Sequence, residues 1–397
     1  MPTLFPASRT AGLQRLGNFA SRAGRDYAAG RNTDNGPDGH AHTSLLSPYL
    51  RHRLIHEREV VKAVLARQSF PAAEKYIQEV LWRTYWKGWL EMRPEVWSRF
   101  IAERDQMRAD FPDTRAVAAA ENGMTGIDGF DDWARELVET GYLHNHARMW
   151  FASIWIFTLR LPWTLGADFF LRHLVDADAA SNTLSWRWVA GLQTVGKTYL
   201  ATAENIARYT NGRFAPAGLA SEAVALIEPP IGAARPLPEP ESLRAGEKSL
   251  LLVTSEDMHP ESILPASLPI RSVLVAADGE LLWGDTARGF VRSASTEAAK
   301  RIGAHVGCAT AVATSLDAAG LVAAAQAAKV RQIVTPYAPV GPVADRLAAM
   351  TPELAQAGVA LIQIRRPWDA QFWPHARKGF FAFKEQIPAL MRADGLA

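Results

Sequence analysis

Apolar side chains recur at spacings of three and four through residues 57–66 (EREVVKAVLA), 72–92 (AAEKYIQEVLWRTYWKGWLEM) and 128–160, which predicts helices there. Ser47-Pro48 reads as an N-cap followed by proline at the first helical position. Beyond residue 248 the pattern changes. Short, largely unalternating apolar runs at 249–253, 272–277, 331–335 and 359–364 predict strands buried on both faces. Ala-rich helical stretches at 317–328 and 341–357 separate them, the order of a parallel, doubly wound sheet. A Pro/Gly-rich stretch at 228–248 lies between the two patterns and reads as an extended linker. The expected fold class is multidomain, α and α/β: an all-helical unit over 1–227, then a Rossmann-like parallel-sheet unit over 249–397.

Composition narrows the picture. Of the 397 residues 48% are apolar and 21% charged, ordinary for a globular chain and unlike a disordered one. Lys+Arg number 43 against 41 Asp+Glu, so any nucleic-acid surface must be a local patch. The single cysteine, Cys308, excludes a disulfide framework, a thiolate zinc cluster and a four-cysteine iron–sulfur site, and fits a reducing, cytoplasmic setting. The most apolar run, Met149–Trp163, is cut by Arg160 and is too short for ~30 Å of hydrocarbon, so no membrane role is expected. The first 31 residues are Arg-rich with Asp26 as their one acid, the look of an organelle transit peptide. Ten of the 13 Trp precede residue 228.

Residues 191–198, GLQTVGKT, match the phosphate-binding pattern G-x4-G-K-[ST], with Lys197 and Thr198 as the phosphate and magnesium ligands. SVLVAAD at 272–278 has the form of the second metal motif. The context argues against both: a P-loop follows a buried strand, and NTLSWRWVA precedes this one in the helical half. The sheet half has no GxGxxG.

Four segments carry a more specific signal. Thr43-Ser44-Leu45-Leu46-Ser47 puts hydroxyls and free amides at a helix start, a site suited to a pyrophosphate. Glu79, Trp82 and Arg83 stand at i, i+3 and i+4, an acid, a ring and a guanidinium on one helix face. TGYLHNHARM places Asn145 and Met149 one turn apart beside Arg148. Asp176, Asp178, Asn182, Trp186 and Trp188 crowd into thirteen positions.

Together these segments resemble the FAD-binding domain of the cryptochrome/photolyase family. The shared patterns are T-S-x-L-S-P-Y-L at 43–50, E-x-x-W-R at 79–83, T-G-[WY]-[LM]-H-N-x-x-R-M at 140–149 and L-[IV]-D-x-D-x-x-x-N-x-x-x-W-x-W at 174–188. Phe5-Pro6, Leu13, Arg15-Leu16, Phe19, Tyr27 and Arg31 fit the stretch the family carries ahead of its phosphate motif, which displaces the transit-peptide reading. The family's α/β domain normally precedes that stretch. Here LLLVTSEDM (250–258) looks like that domain's first strand and HARKGFFAFKEQIPALM (375–391) like its end, so the order resembles a circular permutation.

The resemblance implies roles. Tyr27, Thr43, Ser44, Leu45, Leu46 and Ser47 would hold the phosphates and ribityl chain of FAD, with Tyr76 and Arg83 flanking it. Arg148 and Asp176 would pair against the ring system, Asp178 at its polar edge, and Asn182 would face N5, where Asn suits a reduced, anionic flavin. Trp186 and Trp163 match the inner and middle members of the family's electron-transfer chain; Trp97 and Trp155 are candidates for the outermost. Glu79, Trp82, Asn145, Met149 and Trp188 match the pocket for a flipped-out pyrimidine dimer, and Asn145 and Met149 favour the cyclobutane type over the (6-4) type, which has His there. The implied activity is a light-driven DNA lyase (a deoxyribodipyrimidine photo-lyase) acting on damaged single- or double-stranded DNA. The alternative is a blue-light receptor with a protein partner and no repair. No motif names an antenna chromophore. Two departures stand out: His146 sits where Arg is common, and LQTVGKTYLATAENIARYTNGRF replaces the usual run after Gly191. Arg51, Arg53, Lys87, Arg187, Lys197 and Arg208 are then the candidates for phosphate contacts to DNA.

Overall fold

The computed structural model describes residues 4–396, apart from 240, 245, 277–278 and 282–283. The helical half runs α1 (Arg9–Ala20), α2 (Arg25–Gly30), α3 (Ser47–Arg51), α4 (Glu57–Leu65), α5 (Phe70–Glu91), α6 (Glu95–Asp110), α7 (Thr114–Glu121), α8 (Phe130–Thr140), α9 (Asn145–Ser153), α10 (Trp163–His173), α11 (Ala179–Val189) and α12 (Ala203–Tyr209). The central one is α5, which starts after Ser69 with a proline in its first turn and runs 22 residues. It buries most of its second half, Thr84 through Glu91. The long periodic stretch at 128–160 divides. Gly141 closes α8 in a left-handed conformation (φ 68°), α9 starts at Asn145, and residues 154–158 form a π-helical turn. Periodicity alone does not register such a break, because both helices bury the same kind of face.

The second half is β1 (Ser249–Val253), β2 (Ile270–Ala276), α13 (Asp285–Val306), β3 (Ala309–Ala313), α14 (Ala318–Ala327), β4 (Gln332–Pro336), α15 (Pro342–Gln356), β5 (Ala360–Ile364), α16 (Pro367–Phe372) and α17 (Phe380–Ala393). The five strands are parallel in the order β3-β2-β1-β4-β5. The central strands β1 (SLLLV) and β4 (QIVTP) are buried throughout, as their largely unalternating apolar runs predict. The edge strand β3, ATAVA, is mostly exposed, and its small side chains leave no hydrophobic signature in the sequence.

Alternation along β1 links the halves. Leu251 and Val253 join the large core that includes the helical half, while Leu250 and Leu252 face a smaller core with α14 and α15. The carboxyl ends of β1 and β4, the switch point of the sheet, meet helices rather than open space. Met258 N–H donates to His52 O at 3.0 Å. Glu91 of α5 accepts from Tyr337 Oη at 2.7 Å and Val340 N at 2.5 Å. Among the described residues no helix is long and apolar enough to cross a membrane.

Candidate active site

The phosphate-motif segment ends in α3, a helix of only five residues, so a macrodipole contributes little. The backbone offers free amides another way. Leu45 is left-handed (φ 51°) and Leu46 right-handed (φ −91°, ψ −5°), an alternation that turns successive N–H groups into one concavity. Among the described residues, the amides of Ser44, Leu45, Leu46 and Ser47 have no backbone acceptor. A non-glycine residue held left-handed costs of order 1–3 kcal/mol, and such strain concentrates at ligand clamps. Ser47 Oγ and the Tyr76 hydroxyl are buried without a well-formed hydrogen bond, although Asp176 and Ser44 lie beside them. The orphaned amides and Ser47 hydroxyl of one strained turn, with the Tyr76 hydroxyl of α5, are a donor set that fits a diphosphate and polyol.

Tyr27 and Tyr76 stand edge to face, ring centroids 5.0 Å apart, with Phe19 behind Tyr76 at 5.1 Å. Arg148 reaches Asp176 at 3.3 Å and lies over the Tyr142 ring at 5.5 Å. Arg83 bridges both acids, 3.3 Å from Asp178 and 3.9 Å from Asp176. Lys87 at 3.1 Å and Arg51 at 3.7 Å complete the surroundings of Asp178, which also caps α11 by accepting the Ser181 N–H at 2.7 Å. Burial would raise both carboxyls, but Arg148 and Arg83 at Asp176, and Lys87, Arg83 and Arg51 at Asp178, hold them below the usual carboxylate range. One turn along α11, the Asn182 amide donates to Ala167 O at 2.8 Å, which fixes its orientation.

Trp186 is buried among Phe170 (5.1 Å), Trp155 (6.3 Å) and Phe151 (6.4 Å). It closes against the backbone at Gly166, where a Cβ would fall 2.3 Å from Trp186 Cη2 and 2.9 Å from Trp155 Cε2. Gly166→Ala should therefore destabilise the protein by about 1–2 kcal/mol in urea unfolding: overpacking costs about 1–3 kcal/mol, and better helix propensity returns up to about 1. A stabilised variant would overturn this packing. Trp163 lines a groove of about 720 Å³ with Glu103, Arg160 and Glu228. Trp163 and Trp97 each lie 5.6 Å from Phe100, whereas Trp155 touches Trp186. The two outermost candidates thus occupy opposite ends of the row.

The residues expected to line a substrate pocket differ in surroundings. Glu79 pairs with Arg31 at 2.7 Å, and burial, opposed by that arginine, raises its carboxyl above the ordinary value. Asn145 is exposed in the first turn of α9, with Met149 half-buried a turn later. Trp188 stacks on Tyr199 at 5.7 Å. Trp82 is not free to both sides: its ring lies face to face with Phe380 of α17 (3.5 Å, 11°) and against Trp86 at 5.1 Å. His146 is sandwiched between Tyr209 and Trp150, each at 5.3 Å. Burial and nearby Arg31 take it down to about 4, so it does not replace the charge of an arginine.

Four of the six expected DNA-phosphate contacts are corrected. Arg51, Arg53, Lys87 and Arg187 are 1–4% exposed. Arg51 is bidentate to Glu256 (2.8 and 2.7 Å), Arg53 binds Asp369 (2.7 Å), Lys87 binds Asp178 and Arg187 binds Glu228. Their charges are spent internally. Lys197 and Arg208 are exposed. The sequence reading missed these acidic partners, which lie up to 316 residues away along the chain, a separation no local pattern reports. Residues 191–198 follow α11 rather than a strand, and the amides of Gly196 and Lys197 close turns onto Gly191 and Thr194. Within the second metal motif, Ala277 and Asp278 lie outside the described residues.

Residues 76–212, about a third of the chain, match the FAD-binding domain of DNA photolyase, so this segment is similar to the photolyase/cryptochrome family. The parallel-sheet unit lies C-terminal to that domain, an order consistent with permutation. Among curated relatives, the chain is 35% identical over 171 residues to a deoxyribodipyrimidine photo-lyase of Streptomyces griseus, covering 40% of this chain and 37% of that one. It is 31% identical over 191 residues to the enzyme of that name from Agrobacterium fabrum, covering 47% and 39%. The matches thus span well under half of these relatives. Among solved structures, a bacterial class III photolyase from Agrobacterium tumefaciens aligns at 30% identity and TM-score 0.44 over 51% of this chain and 43% of that one. A Synechocystis cryptochrome aligns at 27% identity and TM-score 0.45, over 52% and 44%.

Proposed function

We propose that the protein is a blue-light-driven flavoprotein that splits cyclobutane pyrimidine dimers in DNA. The observation that carries the flavin part is the strained Thr43–Ser47 turn with its unpaired amides, set beside the Arg148–Asp176 pair. That pair lies in the segment that matches the FAD-binding domain. Bound FAD, reduced and excited by light, supplies the electron that opens the cyclobutane ring. The chain's own residues do the rest. The 43–47 turn binds the phosphates, and Tyr27, Tyr76 and Arg83 flank the cofactor. Arg148, Asp176 and Asp178 fix charge around the ring, Asn182 is oriented toward it by Ala167 O, and Trp186 and Trp163 relay electrons inward. Glu79, Trp82, Asn145, Met149 and Trp188 cradle the extruded dimer. One observation favours a second reading, a blue-light receptor without repair: Phe380 already covers the Trp82 face on which a base would stack.

The test is the visible spectrum of the purified protein under blue light with a reductant, followed by a dimer-repair assay. A structured flavin band that bleaches, together with repair, supports the proposal. Glu79→Ala should then keep its flavin content and lose repair at least tenfold, since a hydrogen bond to a charged group carries about 1.5–3 kcal/mol. A bleaching flavin without repair selects the receptor. A colourless protein that cannot be reconstituted with FAD overturns both.

A further inference from the structure

A second cluster of donor atoms sits between the two halves of the chain, away from the residues assigned to the flavin. His56, the N-cap residue of α4, and Glu59 three positions later face His259 in the loop after β1. One donor atom from each lies within 4.8 Å of the other two. His56 Nε2 is 3.3 Å from Glu59 Oε2, and the two imidazoles face each other with centroids 5.7 Å apart and planes 20° apart. Glu261 approaches from the sheet side, 3.8 Å from His259 Nε2. We infer that His56, Glu59 and His259 form a site for a zinc-like divalent cation that clasps α4 to the loop after β1.

The donor chemistry selects the ion. Two imidazoles and a carboxylate suit zinc and its neighbours among the transition metals, whereas magnesium and calcium take oxygen sets. An independent feature points the same way. His259 is 8% exposed, yet its Nδ1 is buried with no hydrogen-bond partner. An interface held only by ion pairs has no use for a buried nitrogen without a partner.

The surrounding guanidiniums do not cancel the site. Arg9 grips Glu59 with both terminal nitrogens, at 2.5 and 3.0 Å. Arg301 pairs with Glu261 and, at 3.3 Å, with Glu297. Arg366 pairs with Asp257 at 2.5 Å. Arg53 also approaches Asp257, at 3.6 Å, so four cations face four carboxylates and the surroundings are balanced before any metal enters. Arg9 donates to both oxygens of Glu59 and so fixes that carboxylate's orientation without itself touching a metal. Because the ligands come from both halves, the ion binds the folded arrangement only and stabilises it by mass action.

The test uses the full-length, flavin-loaded protein after chelator treatment. Titration with zinc chloride should show one equivalent bound and a thermal midpoint raised by roughly 2–5 °C at a hundredfold excess over the dissociation constant. Cobalt(II) should give the intense visible bands of a tetrahedral site. His259→Ala and His56→Gln should each lose both signals, and Glu59→Gln should weaken affinity at least tenfold. Unchanged flavin content and far-UV dichroism show that the variants are folded. Wild-type protein that takes up no stoichiometric zinc overturns the inference without any variant, and so does zinc held equally well by His56→Gln. Neither result touches the flavin reading, since the site shares no residue with it.

Discussion

Asp178→Ala is expected to cost about 3–5 kcal/mol, with a melting temperature lower by roughly 10 °C, because it strands buried cations. Asp178 is 2% exposed and faces Lys87, Arg83 and Arg51 at 3.1, 3.3 and 3.7 Å. Without it, Lys87 has only Glu256 at 3.7 Å and Arg83 only Asp176 at 3.9 Å. The cap of α11 goes too, a loss of about 1 kcal/mol that overlaps the first because the same side chain makes both contacts. Asp178→Asn should cost less, since an amide oxygen still caps the helix. The control is Asp132→Ala, whose partner Arg135 is half exposed at 3.0 Å and whose loss should cost under about 1 kcal/mol. Equal costs for Asp178→Ala and the control, in urea unfolding, would show that the buried cluster stabilises the fold no more than a surface pair does.

That cluster also marks where reading the sequence succeeds and where it stops. Arg83 could be placed on one face of α5 by its spacing from Glu79 and Trp82, whereas Asp176 and Asp178, ahead of α11 and at its N-cap, were singled out only through the motif resemblance. Glu256 was not, although it is bonded to Arg51 and near Lys87. It follows β1, about two hundred residues away, in a segment whose resemblance to a family strand suggested nothing about charge. The same distance explains the arginines. A guanidinium in a sequence has no address, and only the fold shows that Arg53 ends on Asp369 rather than on solvent. Secondary structure divides in the same way. The buried strands β1 and β4 are dense in apolar residues and were evident. The exposed β3, with its small side chains, was not. At the Thr43–Ser47 segment a helix start was expected to offer the free amides, whereas the helix there is only five residues long and a left-handed Leu45 precedes it.

Trp186→Phe should slow light-driven bleaching of the flavin band at least tenfold while leaving flavin content and chemical reduction unchanged. The argument rests on position and on oxidisability. Trp186 is buried on α11, one turn past Asn182. It is packed by Phe151 and Phe170, rings too hard to oxidise to substitute for it. The packing loss from Trp to Phe is the smaller effect, so a folded variant isolates the redox role. Trp163→Phe should show the same defect. The two remaining tryptophans then decide the route. Trp97 shares Phe100 with Trp163, and Trp163 lines the 720 Å³ groove, whereas Trp155 meets Trp186 edge to face at 6.3 Å in the core. An outermost donor must reach solvent or a reductant, and the groove beside Trp163 offers that access where the core around Trp155 does not. Trp97→Phe is therefore the variant expected to slow bleaching, and Trp155→Phe the one expected to leave it within about twofold. The reverse result would route the electrons through Trp155, and full-rate bleaching in Trp186→Phe would remove the tryptophan relay altogether.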